Sequence, residues 1–367
     1  MAAPHGRGLL HLAAAVDQEA VHDVSDHGEL VRLAERGGFD FVTLGDTFAR
    51  PEPDALAVLA RIASTTTRIG LVPTVTVTHT EPFHLRAAVA TLDRVSRGRA
   101  GCRIDLSDTE GGARNVGRRH AASADASEHE PEHEAWDEAG QVADLADRLW
   151  DNRAVDAGTH DDASGRPLGR DEARPAGFEG DSFPVRGLPT VARPSQGHPV
   201  TVVDATDRRA RAAAARCADV ALVQGTNPAQ VGEVRAELHA SALAHGRDPD
   251  ELRVLAALTV DLGDGERAAE PGHGGGGPRQ TGQGPLYRGG PVDLAELIAS
   301  WHETGAADGF HLTPAEPRRD LERLVNGTVA LLQHRGLFRT FYPGSTLREH
   351  LGLTRPAKRY AVTREAP

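Results

Sequence analysis

Short apolar runs alternate with longer stretches of helical period along almost the whole chain, and that rhythm limits the possible folds more than any single residue does. Residues 9–16, 39–44, 69–77 and 100–106 read as strands, with helices at 28–38, 54–64 and 84–96 between them. The first helix carries Leu30, Val31 and Ala34 on one face and closes on Gly37-Gly38, a pair able to supply a left-handed cap. A longer helix is expected over 136–150, where Ala139, Val142, Ala143, Leu145, Ala146 and Leu149 form a stripe of 3.6 period. Strands follow at 200–203, 220–223, 254–260 and 309–312, with helices at 207–217, 228–245 and 319–335. Eight strands alternating with helices favour an α/β fold of the closed (β/α)8 TIM-barrel type over an open doubly wound sheet.

Length suits a single such domain spanning residues 1–367, and with aromatic residues at only 4% its core must be built from Ala, Val and Leu. Two stretches interrupt the rhythm, at about 151–184 and 263–291, both rich in Gly, Asp, Arg and Pro. They read as insertion loops at the C-terminal face of the barrel, the second as a mobile lid over a site. The formal charge of −12, with no basic stripe interleaved with aromatics, excludes a nucleic-acid partner. Cys102 and Cys217 are too few and too far apart for a metal or disulfide framework. The run 8–16 is broken by His11 and followed by acidic residues, unlike a signal peptide. No window reaches the roughly 18 to 20 apolar residues of a membrane span. A soluble protein of the cytoplasm, bound to neither membrane nor metal, is expected.

His129-Glu130-Pro131-Glu132-His133 has the letters of a helical zinc motif, but Pro131 breaks the turn that would bring the histidines together. Gly274 to Gly277 lacks the GK[ST] of a phosphate loop and reads as a flexible connection. Asn326-Gly327-Thr328 matches a glycosylation signal that matters only after secretion. More informative are polar residues at strand ends: Asp46, Thr76, Thr78, Ser107, Thr206 and His311. In a barrel such positions converge on one bowl. Arg103 and Asp105, two apart on one strand, share a face that can be the interior, where they must neutralise each other or meet a ligand.

Several stretches carry a family resemblance. They include Leu10-His11-Leu12-Ala13, Ala34-Glu35-Arg36-Gly37-Gly38-Phe39-Asp40, Thr80-Glu81-Pro82-Phe83-His84, Ala192-Arg193-Pro194-Ser195-Gln196-Gly197, Ala218-Asp219-Val220 and Asp308-Gly309-Phe310. The most specific are Arg335-Gly336-Leu337-Phe338-Arg339-Thr340 and Thr346-Leu347-Arg348-Glu349-His350-Leu351-Gly352-Leu353. Together they resemble the luciferase-like flavin monooxygenases, in the branch of nitrilotriacetate and dibenzothiophene-sulfone monooxygenases, over nearly the whole chain. The resemblance implies a barrel that binds reduced FMN, delivered by a separate flavin reductase, and uses dioxygen to oxidise a carbon beside nitrogen or sulfur in a small molecule. It also implies a homodimer. On this basis His11, His311 and Arg103 are candidate catalytic residues, and Asp46, Thr76, Thr78, Arg103, Ser107, Trp136, Thr206 and Arg209 candidate cofactor contacts.

The chain departs from the family pattern in the flavin site. Arg103 replaces the usual Asn of strand 4, Ala135-Trp136 replaces an Arg-Tyr pair, and Val203-Asp204-Ala205-Thr206-Asp207-Arg208-Arg209 replaces an Ala-Gly-x-Ser-x-x-Gly phosphate turn. Asp204 and Asp207 put negative charge where a phosphate would sit, unless Arg208 or Arg209 turns inward. Two alternatives therefore stand beside the monooxygenase: a non-oxidative enzyme or binding or partner subunit with a degenerate FMN site, and a deazaflavin-dependent oxidoreductase.

Overall fold

Among the described residues, eight parallel strands hydrogen-bond in a closed ring: β1 (His11–Ala15), β2 (Phe41–Leu44), β3 (Gly70–Thr76), β4 (Gly101–Asp105), β5 (Val200–Asp204), β6 (Val220–Gln224), β7 (Arg253–Asp261) and β8 (Gly309–Pro314). Pairing of β8 with β1, in the register Ala13 to His311, closes it. This is the expected TIM barrel. The computed structural model describes residues 8–16, 24–45, 53–76, 82–106, 136, 140, 143, 150–151, 176–179, 184–187, 193–263 and 277–356.

Helices α1 (Val24–Arg36), α2 (Ala55–Ile62), α3 (Pro82–Val95), α4 (Arg208–Cys217), α5 (Pro228–Ala244), α6 (Pro291–Glu303) and α7 (Pro317–Arg323) connect the strands. Residues Trp136, Gly140, Ala143, Trp150 and Asp151 are helical too, in agreement with the stripe seen in the sequence. Outward strand residues such as Leu12, Val42, Leu71 and Val254 pack under these helices in one large buried core. Inward residues form a second cluster, in which Ala13, Phe41, Val72, Val200, Val220 and Leu255 meet Leu347, Leu351 and Leu353. The last three flank or belong to a short helix, Leu347–His350, that plugs the N-terminal end of the barrel.

That end is fastened by a repeated device. Asp40, Asp219 and Asp308 each precede a strand, and each accepts a backbone N–H from the neighbouring strand's entry: Leu12, Thr201 and Val254, at 2.8, 2.9 and 2.8 Å. Each aspartate is also paired with an arginine: Arg339 at 2.8 Å, Arg348 at 3.0 Å and Arg235 at 3.0 Å. Two of these arginines come from the C-terminal stretches that carried the family resemblance.

Four features differ from the sequence reading. The second interruption is partly regular: residues Arg279–Thr281 and Gly284–Arg288 form an antiparallel ribbon whose second strand pairs with β7 beyond the barrel wall. Tyr287 is fully buried there, an anchor that the surrounding Gly and Pro concealed. The first interruption begins at Asp151, which pairs at 3.1 Å with Arg193 shortly before β5. It contains an antiparallel pair, Ala176–Glu179 with Pro184–Gly187. Helix α6 was not expected, and the closing helix is interrupted by a π-helical turn, Leu324–Val329. In that turn a side chain at Gly327 would come within 2.5 Å of Pro291, and Thr328 is buried against the Pro291 carbonyl. Packing therefore accounts for Gly327 and Thr328.

Candidate functional site

Side chains two apart on a strand share a face, so the inward positions above the apolar plug follow from the register. They are Thr43, Thr74 and Thr76, Arg103 and Asp105, Asp204, Gln224, Thr259, and His311 and Thr313. Polarity thus rises along the barrel axis toward the C-terminal ends of the strands, the end where (β/α)8 enzymes place their chemistry.

His311 is the deepest titratable member of this layer. It is 4% exposed, and its Nε2 lies 2.9 Å from Thr43 Oγ1 across the barrel. Burial, reinforced by the positive Arg103, pushes its pKa from 6.5 down to about 3, so at neutral pH the ring is uncharged. A neutral imidazole has one donor and one acceptor nitrogen, and the contact with Thr43 commits one of them.

Arg103 reaches across the β4–β5 boundary to Asp204, Nη2 to Oδ2 at 3.2 Å. The partner inferred from the sequence, Asp105, accepts the backbone N–H of Leu106 at 2.9 Å instead. Nor does Arg208 or Arg209 supply the charge that offsets Asp204; Arg103 does. The pairing follows from register: Arg103 lies opposite Val202, so the carboxylate two residues on is its diagonal neighbour. Arg103 Nε is buried and has no hydrogen-bond partner among the described residues.

Of the sequence candidates, Thr76, Arg103 and His311 share this interior layer, and Thr206 stands at its rim. Thr206 Oγ1 accepts the Gln224 N–H at 3.2 Å, which ties β5 to β6. Arg209 lies in the first turn of α4, where its N–H is donated to Asp207 Oδ1 at 2.8 Å. Trp136 is half-buried against the core between sheet and helices, outside the inward cluster. Asp46, Thr78, Ser107, His129 and His133 lie outside the described residues. Thr43 was missed, although its alternation with Phe41 places both on one face.

His11 stands apart from the other catalytic candidates. It is the first residue of β1, at the plugged end, with Nδ1 3.1 Å from Asp40 Oδ1. It lines a cavity of about 1230 Å³ together with Arg253, Arg339 and His350. That N-terminal end is where barrels keep determinants of stability, so His11 belongs to the strand-entry clasp. Among the described residues no group of His, Cys, Asp and Glu could hold a metal ion. None of their helices is long and apolar enough to cross a membrane.

The model of the luciferase-like monooxygenases matches residues 7–327. The chain belongs to the luciferase-like monooxygenase family. It is 28% identical to N-acetyl-S-(2-succino)cysteine monooxygenase of Bacillus subtilis (strain 168), over 91% of this chain and 90% of that protein. It is equally identical, 28%, to nitrilotriacetate monooxygenase component A of Aminobacter aminovorans, over 91% of each. Among solved structures, long-chain alkane monooxygenase superposes with a TM-score of 0.81 at 19% identity, over 94% of this chain and 96% of that one. EDTA monooxygenase from Chelativorans sp. BNC1 does so with a TM-score of 0.78 at 23% identity, over 95% and 99%. Membership in this family makes the protein an oxidoreductase.

Proposed function

We propose that this luciferase-like monooxygenase binds reduced FMN in the C-terminal half of the barrel and, with dioxygen, oxidises a small organic substrate. A separate flavin reductase would supply the reduced cofactor. The observation that carries this reading is the buried, unpartnered Arg103 Nε beside an uncharged His311: a hydrogen-bond donor on a cation is left over in a layer that also holds threonine hydroxyls, Asp105, Asp204 and Gln224. Such a donor suits the electron-rich edge of a reduced isoalloxazine ring. The relative called "component A" supports a two-component arrangement. A homodimer is proposed from the family alone.

The roles of the chain's own residues follow from their positions. Thr43 and His311 form one wall, with Thr43 fixing the imidazole plane. Arg103, steadied by Asp204, would hold the electron-rich ring with its positive charge, and Thr76 would offer a hydroxyl from the same layer. Leu347, Leu351 and Leu353 seal the far end of the barrel, so water can reach the layer only from the C-terminal face. Reduced flavin supplies the activation of dioxygen, while the protein binds, orients and excludes water.

Thioethers and secondary or tertiary amines, whose reacting carbon lies next to sulfur or nitrogen, are the substrate classes to try. The test supplies the protein with FMN, NADH and an unrelated flavin reductase, and follows oxidised product by mass spectrometry. Product formed with this protein and absent with His311→Ala supports the proposal. Reduced flavin that oxidises in its presence without product from any of these classes argues for a non-oxidative role.

A further inference from the structure

Strand β6 ends at Gln224, opposite Ala257, while β7 runs on to Asp261. The place beside β7 that β6 vacates is taken by the second strand of the ribbon: Leu286 pairs with Thr259 and Tyr287 with Val260, in the same parallel sense. The ribbon therefore continues the barrel wall upward from β6. Neighbours in register share a face, so Tyr287 turns outward with Val260 into the large core, and Leu286 turns inward with Thr259. Leu286 is half-buried and belongs to neither apolar cluster, which leaves it on the wall of the bowl above Gln224.

Gln224 is fixed from two sides. Its N–H is donated to Thr206 Oγ1 at 3.2 Å, and Gly284 of the ribbon lies against its side-chain amide. A methyl group on Gly284 would come within 2.8 Å of Gln224 Oε1 and 3.2 Å of Nε2, and the φ of Gly284, +106°, also favours glycine. An amide side chain carries N–H donors and an acceptor oxygen. Among the described residues, that of Gln224 makes no hydrogen bond.

A held amide on the inward face, below an apolar side chain, suits a small molecule of mixed polarity. Its neighbours on the β6 to β8 side are Ala257, Thr259, Leu286, Thr313 and the uncharged His311, whereas Arg103, the cation assigned to the flavin, stands on β4. Of the two proposed substrate classes, an uncharged thioether costs less to bury against this wall than an ammonium does.

We infer that Gln224 and Leu286 form the substrate half of the site, and that the substrate is a small thioether with an uncharged amide group, which pairs with the Gln224 amide while its carbon chain packs on Leu286. This rests on the proposed flavin site. It makes Gln224 a specificity-determining residue and gives the ribbon the task of bringing Leu286 to the bowl.

The test uses two probes, β-(methylthio)propanamide and isopentyl methyl sulfide, which carry a carboxamide or an isopropyl group of similar shape at the end of the same chain. Each is titrated calorimetrically, under anaerobic conditions, into the full chain saturated with reduced FMN. The amide should bind, and in Gln224→Leu the ratio of the two dissociation constants should move toward the sulfide by about tenfold or more. Gln224→Glu keeps the shape and loses the amide donors; it should move the ratio the same way, and it decides the matter if Gln224→Leu does not fold. Leu286→Ala should weaken both probes by similar factors. A ratio that stays within about threefold in both Gln224 variants overturns the inference, as does an amide probe that fails to bind the flavin-loaded protein; the flavin site stands in either case. Both probes bound as before by Leu286→Ala overturns the role of the ribbon. Failure of the unaltered protein to bind reduced FMN overturns the site itself, and the inference with it.

Discussion

Thr43 Oγ1 and His311 Nε2 meet at 2.9 Å inside the barrel, joining β2 to β8 across a buried layer. Thr43 is fully buried, and the β1 strand between its partner's strand and its own contributes only alanines to the ring interior at this height. The hydroxyl therefore holds the imbalance of a lone imidazole in an apolar wall. Thr43→Val keeps the shape but leaves one ring nitrogen unpaired. The expected loss of stability is about 1–3 kcal/mol, measured by denaturant unfolding.

The same histidine makes stability depend on pH. Its folded pKa, about 3, lies below the ordinary 6.5, so between these values the unfolded chain holds more protons than the native one. This contribution is complete above pH 6.5 and is lost as the pH falls toward 3; His350, lowered to about 4 by burial, acts in the same direction. The melting temperature should therefore fall between pH 7 and pH 4, and fall less steeply in His311→Gln. Parallel curves for the two proteins would show that His311 is not buried uncharged.

Arg339 and Asp40 test the assignment of the plugged end. Asp40 has no exposed surface, and Arg339, with His11, holds its carboxylate down at about 2 against the opposing effect of burial. Arg339→Ala strands that charge, with an expected cost of about 3–5 kcal/mol. His11→Asn should be milder. Neither change should alter the affinity for reduced flavin, because both residues lie at the other end of the strands. A large loss of flavin affinity with unchanged melting temperature would return His11 to the site.

Gly309 shows how closely β1 and β8 approach. A methyl group there would lie 1.9 Å from the His11 carbonyl oxygen, a backbone atom with nowhere to go. Gly309→Ala should open the barrel seam and destabilise the protein by about 3 kcal/mol or more, seen as loss of cooperative thermal unfolding.

Much of this architecture is legible in the sequence because period-2 and period-3.6 patterns are local. Strands such as 200–203 and 220–223 are apolar runs between clear helices, and they appear within a residue or two of the expected place. The ribbon at Arg279–Arg288 was not legible, since its one large apolar anchor, Tyr287, sits among Gly, Pro and Arg, and its pairing with β7 is a tertiary fact. The same limit applies to the site. Strand ends and alternation place His311, Arg103 and Thr76 on the inward face, but the partner of Arg103 depends on strand register, which brings Asp204 and not the sequence neighbour Asp105 to the guanidinium. For His11 the pattern misleads: a histidine on a barrel strand suggests chemistry, and only its position at the strand's first residue shows that it serves the clasp.

The central claim, that reduced flavin binds beside Arg103, is tested most directly by anaerobic titration of photoreduced FMN into the unaltered protein and into Arg103→Asn. The substitution removes the cation and leaves the Asp204 carboxylate without its partner. The account predicts saturable binding of reduced FMN by the unaltered protein, weakened about tenfold or more in Arg103→Asn, the size of one charge-assisted contact. Equal or tighter binding by Arg103→Asn would contradict it, for Arg103 would then be filling the space of the ring and not facing it.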